Sequence, residues 1–169
     1  MIKMLGAVLL AGGCLWLGEH RARQLRARVE VLDGLLDGLN GLRRELELRL
    51  APLPQLMEEL GGQTASPVRD LFLSCRRALE GLRQESFTQA WTNLVEQVPH
   101  LQREDKRVLR NLGLVLGRYD GRGQSAAISN VCRELERNRE QAWQTSCRLG
   151  RVYRTMGAVG GGFLIVLLL

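Results

Sequence analysis

Leucine recurs every seven residues along the first third of the chain, at Leu25, Leu32, Leu39 and Leu46, with Val29, Leu36 and Leu50 interleaved. An apolar pair repeated at a heptad is the seam of a helix that packs against another helix. "APLP" ends it at Pro52 and Pro54, because proline lacks an N–H and clashes with the preceding turn. A second seam runs through Ile128, Leu135, Ala142, Leu149 and Met156. Its interleaved sites are mixed: Val131 and Val152 flank Asn138 and Thr145, polar residues of the kind that set register. The helix predicted around each seam covers thirty residues, 21–50 and 125–154, about 45 Å. Equal lengths predict an antiparallel pair. Gly34, Gly38 and Gly41 lie in the first helix and weaken it by about 1 kcal/mol each relative to alanine. They either let a neighbouring helix come close or reflect drift on an exposed face, and close approach is the expectation.

Shorter helices are predicted between these arms. Pro54 opens one through "PLPQLMEEL", which the glycines at 61 and 62 terminate. Ser66 and Pro67 read as N-cap and first helical residue of "VRDLFLSCRRALEG". Ser86 caps "FTQAWTNLVEQV", which stops before Pro99, and a further helix follows in "REDKRVLRNLGLVLG". "RYDGRGQ" is then a turn, with Asp120 as cap of the last long helix. Phe72, Phe87 and Trp91 read as core. The fold class expected is all-α, a multi-helix bundle with two long antiparallel helices.

The ends differ from the middle. Fifteen uncharged residues separate Lys3 from Glu19, and residues 155–169 are another uncharged fifteen. As helix each is about 22 Å long, short of a roughly 30 Å hydrocarbon core. Trp16 and Tyr153 suit an interface, and Lys3, Arg21, Arg151 and Arg154 can snorkel, so the flanks supply the remainder. The expectation is an N-terminal membrane helix over 1–20, a cytoplasmic bundle over 21–154 and a C-terminal membrane segment over 155–169. Other readings of the first run remain open: a cleaved signal, opposed by the arginines that follow; a lipoprotein signal, since "LAGGC" leads to Cys14; or a buried soluble helix. Arg21, Arg23, Arg26 and Arg28 after the first run, with Arg148, Arg151 and Arg154 before the second, predict that the bundle is cytoplasmic and both termini lie outside. Gly157 and Gly161 form a small-residue pair one turn apart, as do Ala7 and Ala11; these four are the expected packing face between the spans.

Charge and chemistry change this picture little. The net charge is +6, carried by arginine, yet "RRELELR" and "RELERNRE" intersperse acids as a solvated helix face does. No aromatic and basic platform for nucleic acid is visible, so a membrane-tethered nucleic-acid binder is only an alternative. Cys14, Cys75, Cys132 and Cys147 form no CxxC pair, and with His20 and His100 as the only histidines no metal, cofactor or redox site is expected. No phosphate-cradling loop and no nucleophile paired with a base is present, and Glu58, Glu59, Glu134 and Glu136 read as solvated charges. An enzyme is therefore not expected, and no catalytic residue is assigned. A membrane-anchored interaction module remains.

The order of "IKMLGAVLLAGGCLWLG", "LAPLPQLMEELG", "FTQAWTNLV", "LGLVLGRYDGRGQ" and "YRTMGAVGGGFLIVLLL" resembles the stage III sporulation protein AB family, over nearly the whole length. That family is similar to the cytoplasmic domain of the type II secretion F protein. The resemblance implies a structural and adaptor subunit of the sporulation complex joining mother cell and forespore. It would sit in the outer forespore membrane, facing the mother-cell cytoplasm. Its implied partners are the complex's secretion-type ATPase (stage III sporulation protein AA) and other membrane subunits, with a homo-oligomer also open. The turn holding Asp120, Arg122 and Gln124 is a candidate docking surface for the ATPase, although capping a helix is the plainer role for each. If the glycine pair packs, Gly161→Leu weakens complex assembly, read by co-purification, while membrane insertion stays intact; normal assembly in the variant counts against a packed interface.

Overall fold

The structure is a computed structural model that describes residues 2–48, 52–81, 87–116 and 121–168. Among the described residues every element is an α-helix: α1 (Ile2–Leu48), α2 (Leu53–Gln63), α3 (Val68–Gly81), α4 (Phe87–Gln97), α5 (Arg103–Leu116) and α6 (Gly121–Leu168). The all-α class holds. The two long helices run unbroken into the apolar ends, α1 for 47 residues and α6 for 48. The chain divides into two compact units, residues 30–139 and residues 1–29 with 140–169.

Among the described residues no helix is long and apolar enough to cross a membrane. The described residues therefore do not support the expected complete spans over 1–20 and 155–169, and many side chains of those two segments lie outside them.

Residues 30–139 hold the main core. Leu32, Leu35, Leu39 and Leu42 of α1 are fully buried, as are Leu56 and Met57 of α2, Phe72 of α3, Leu109 and Leu112 of α5, and Ile128 and Leu135 of α6. In α1 burial is wider than the expected seam, because Val31, Leu35 and Leu42 join it; a helix with neighbours on several sides buries more than one stripe. Two polar pairs set α1 and α6 antiparallel: Arg139 with Asp33 at 2.7 Å, and Ser125 Oγ donating to the Glu47 carboxylate.

Gly34, Gly38 and Gly41 of α1 sit where other helices press against it. A methyl group at Gly38 would stand 2.5 Å from Cε2 and 2.7 Å from Cζ of Phe72. At Gly41 it would meet Leu60 Cδ2 at 2.8 Å, and at Gly34 Val68 Cγ2 at 3.2 Å. The expected close approach is therefore real, with α2 and α3 as the neighbours. The same logic corrects α2. Its helix continues through Gly61 and Gly62 to Gln63, because Gly61 is buried against α3, where a methyl would stand 2.7 Å from Leu73 Cδ2. Thr64 ends it instead, donating its N–H and its hydroxyl to Leu60 O at 3.1 and 2.9 Å. Ser66 and Pro67 also depart from expectation. Their peptide bond is cis, α3 begins at Val68, and Ser66 Oγ donates to Asp70 Oδ2 at 2.7 Å instead of accepting a backbone N–H.

In α6 the expected seam holds through Ile128, Leu135 and Ala142, then drifts. Leu149 and Met156 are exposed, and burial continues at Ser146 and Gly150. A helix of 3.6 residues per turn leaves a strict heptad by about 20° per repeat; steps of four correct for it.

Two glycine substitutions should move stability in opposite directions in urea unfolding of the full chain. Gly38→Ala meets Phe72, and overpacking of this kind costs roughly 1–3 kcal/mol. Gly62→Ala adds a methyl to open space in a helix, and should stabilise by about 0.5–1 kcal/mol.

Candidate interaction surfaces

The unit formed by residues 1–29 and 140–169 inverts the usual order of side chains. Among its described residues the buried positions other than Val29, at the edge of the unit, are small: Gly18 and Ala22 on α1, and Ala142, Ser146 and Gly150 on α6. They recur four apart, the spacing of one helix face, and a methyl at Gly150 would lie 3.9 Å from Ala22 Cβ. Large apolar side chains point outward. Trp16 is 67% exposed, Met156 66%, Val159 72% and Phe163 66%, with Leu17, Trp143, Val152 and Tyr153 also on the surface. Trp16 stacks on His20 with ring centroids 5.4 Å apart. The expected packing residues Ala7, Ala11, Gly157 and Gly161 belong to this unit and to the same two helices, but their side chains lie outside the described set.

The expected docking turn is seen only in part. Asp120 lies outside the described residues, and so does the side chain of Arg122. Gln124 Nε2 donates to Leu116 O at 3.0 Å, which ties the start of α6 back to the end of α5. Gln124 thus has a local structural task.

Elsewhere in residues 30–139 polar groups hold helices to one another. Asp105 is fully buried; its Oδ2 accepts the Gln102 N–H at 2.9 Å and its Oδ1 accepts Asn138 Nδ2 at 2.9 Å. One carboxylate thereby caps α5 and grips α6. Asn138 was legible as a register residue; Asp105 was hidden among the charges of "REDK", where its place in the first turn of a helix was the available signal. Trp91 Nε1 donates to Leu109 O at 2.7 Å, and its ring lies against Gly113. Glu96 receives Lys106 and Arg110 at 3.4 and 3.1 Å, tying α4 to α5. Arg76 pairs with Glu58 and Glu80. Many arginines of this unit therefore spend their charge on neighbouring acids, and in the open such pairs are worth little.

A cleft of about 450 Å³ lies between α1 and α2, lined by Asp37, Asn40, Arg43, Arg44, Gln63 and Thr64 with Gly38 and Gly41 as its floor. Charges of both signs line it, and no nucleophile stands beside a base. Among the described residues no group of three or more His, Cys, Asp and Glu side chains could share a metal ion. Cys75, Cys132 and Cys147 are free thiols. Burial pushes the Cys75 thiol up to about 12. Burial also raises Cys132, against the lowering effect of Arg43 and with a further rise from Glu136.

The described residues form an all-helical protein whose two longest helices are α1 and α6. A family model described as stage III sporulation protein AB (spore_III_AB) matches residues 3–169. The chain belongs to that family. It is 27% identical over 172 residues to the stage III sporulation protein AB of Bacillus subtilis (strain 168), covering all of both chains. Among solved structures it is similar to a stage III sporulation protein AB, with a TM-score of 0.59 and 25% identity over 73% of this chain and 94% of that one.

The thiols give a direct check. With a soluble alkylating reagent near pH 8 and peptide mass spectrometry, exposed Cys147 should react promptly, while Cys75 and Cys132 wait for unfolding. The linkage has a definite sign. Below about 9 the Cys75 thiol is protonated in both states; above it the unfolded thiol ionises while the folded one resists up to about 12. The stability it contributes is therefore complete below pH 9 and lost as pH rises through that window. Cys75→Ala should flatten that part of the alkaline unfolding curve.

Proposed function

We propose that this protein is a non-enzymatic adaptor subunit of a sporulation complex between mother cell and forespore. In this reading the unit of residues 1–29 and 140–169 attaches it to the outer forespore membrane, and the bundle faces the mother-cell cytoplasm. The observation that carries the membrane role is the inverted packing of that unit. Burying small residues while exposing Trp16, Met156, Val159 and Phe163 is costly in water. It is the arrangement of helices that pack closely through small residues inside an apolar medium. The arginines beside it support a cytoplasmic bundle.

The bundle of residues 30–139 is the part that receives a secretion-type ATPase, the stage III sporulation protein AA that the family resemblance implies, together with other membrane subunits. Its helices are cross-braced by Asp105, Glu96 and the glycine contacts, which suits a part that must resist a motor's movements. The reading is tested in sporulating cells carrying the tagged full chain. The protein should fractionate with membranes and retain the ATPase on purification in mild detergent. Recovery from membranes without the ATPase would remove the docking role, and recovery in the soluble fraction would remove the anchor.

A further inference from the structure

The charge of this chain is not spread over it. Residues 30–139 contain sixteen basic and sixteen acidic side chains. Residues 1–29 with 140–169 contain eight basic ones, Lys3 and seven arginines, against Glu19 and Glu140 alone. The entire net charge of +6 therefore belongs to the unit that exposes large apolar side chains. Arg23 meets Glu19 there at 3.4 Å, with the arginine well exposed, and a bond this open to water holds little of its charge back.

The placement within the unit is ordered. Ala22 lies against Gly150, which brings Arg21 and Arg23 level with Arg148 and Arg151, all exposed. Trp16 on α1 and Met156 on α6 each lie six residues from that contact toward the helix end, about 9 Å along the axis. A band of guanidinium groups thus borders a belt of apolar and aromatic side chains at about the separation of lipid headgroups from the upper acyl chains. Tyr153, between band and belt, presents an amphipathic ring at that level.

We infer that this unit is selective for anionic membranes: the exposed apolar belt enters the lipid, and Arg21, Arg26, Arg148 and Arg151 bind the phosphates of acidic phospholipid headgroups. The inference rests on the membrane attachment proposed above and adds the lipid class. Arginine suits the task because its planar fork takes two phosphate oxygens at once and stays charged. A basic cluster beside a membrane-embedded segment adds binding with each residue near an anionic surface. Nucleic acid would account for the charge but would leave Trp16, Met156, Val159 and Phe163 exposed to water. A second copy would cover the apolar belt but would set one arginine band against another.

The test uses purified full-length chain transferred from mild detergent to two sets of vesicles, phosphatidylcholine alone and the same lipid mixed with phosphatidylglycerol, separated by flotation. Binding to the mixed vesicles should exceed binding to the neutral ones, and the excess should shrink with added salt. Replacing Arg21, Arg148 and Arg151 by glutamine should lower the anionic-over-neutral ratio by roughly fivefold for each charge removed. Replacing the exposed Arg107 and Arg133 of the other unit should leave the ratio unchanged, and helical content by circular dichroism should match throughout. Equal binding to both vesicles overturns lipid selectivity and leaves attachment standing. Failure to float with either, with the chain sedimenting as an oligomer or held on added DNA, overturns both. A ratio untouched by the triple substitution overturns the assignment to these arginines.

Discussion

The close approach of α2 and α3 to α1 is the constraint on which the bundle rests. Phe72 and Leu60 reach the α1 backbone itself, where no Cβ intervenes. Three glycines cost that helix intrinsic stability, and a helix of 47 residues can bear the loss because its apolar face is buried along much of its length. The exchange yields core depth: Phe72, Leu56 and Met57 are wholly enclosed in a unit with few large aromatic side chains.

Polar contacts then choose one arrangement among those that apolar packing would tolerate. Leucine seams can slide by a heptad with modest loss. A buried carboxylate resists such a slide, since moving α6 past Asp105 would break its hydrogen bond with Asn138 inside the core. Asp33 and Arg139, part-exposed, add a weaker oriented pair where α1 and α6 pass each other. The pairing of Asp105 joins residues 33 positions apart in sequence. It therefore forms only once both helices are docked.

What could be read from the residues follows from how local each signal is. The heptads announced two long helices, and Pro52, Pro54 and Pro99 placed breaks close to where the helices stop. Reading failed where one residue type serves two ends. Gly61 and Gly62 look like a helix stop, yet Gly61 is a contact surface whose reason lies in Leu73 of another helix. Ser66 looks like a cap, yet its hydroxyl is taken by a side chain. The second heptad points on through Leu149 and Met156, yet the buried face turns to Ser146 and Gly150. The apolar ends were legible as unusual, but hydropathy does not say which side chains face inward; that took the two helices side by side.

The contact between Gly38 and Phe72 also bears on how this sequence can change over time. Any side chain at 38 requires the ring at 72 to withdraw, and a smaller residue at 72 alone opens a void beside a bare stretch of backbone. Each single step is unfavourable while the pair of steps need not be. The two positions are thus expected to drift together, a larger residue at 38 appearing with a smaller one at 72, so that descendants of this fold retain the spacing of these helices while exchanging which of them supplies the bulk.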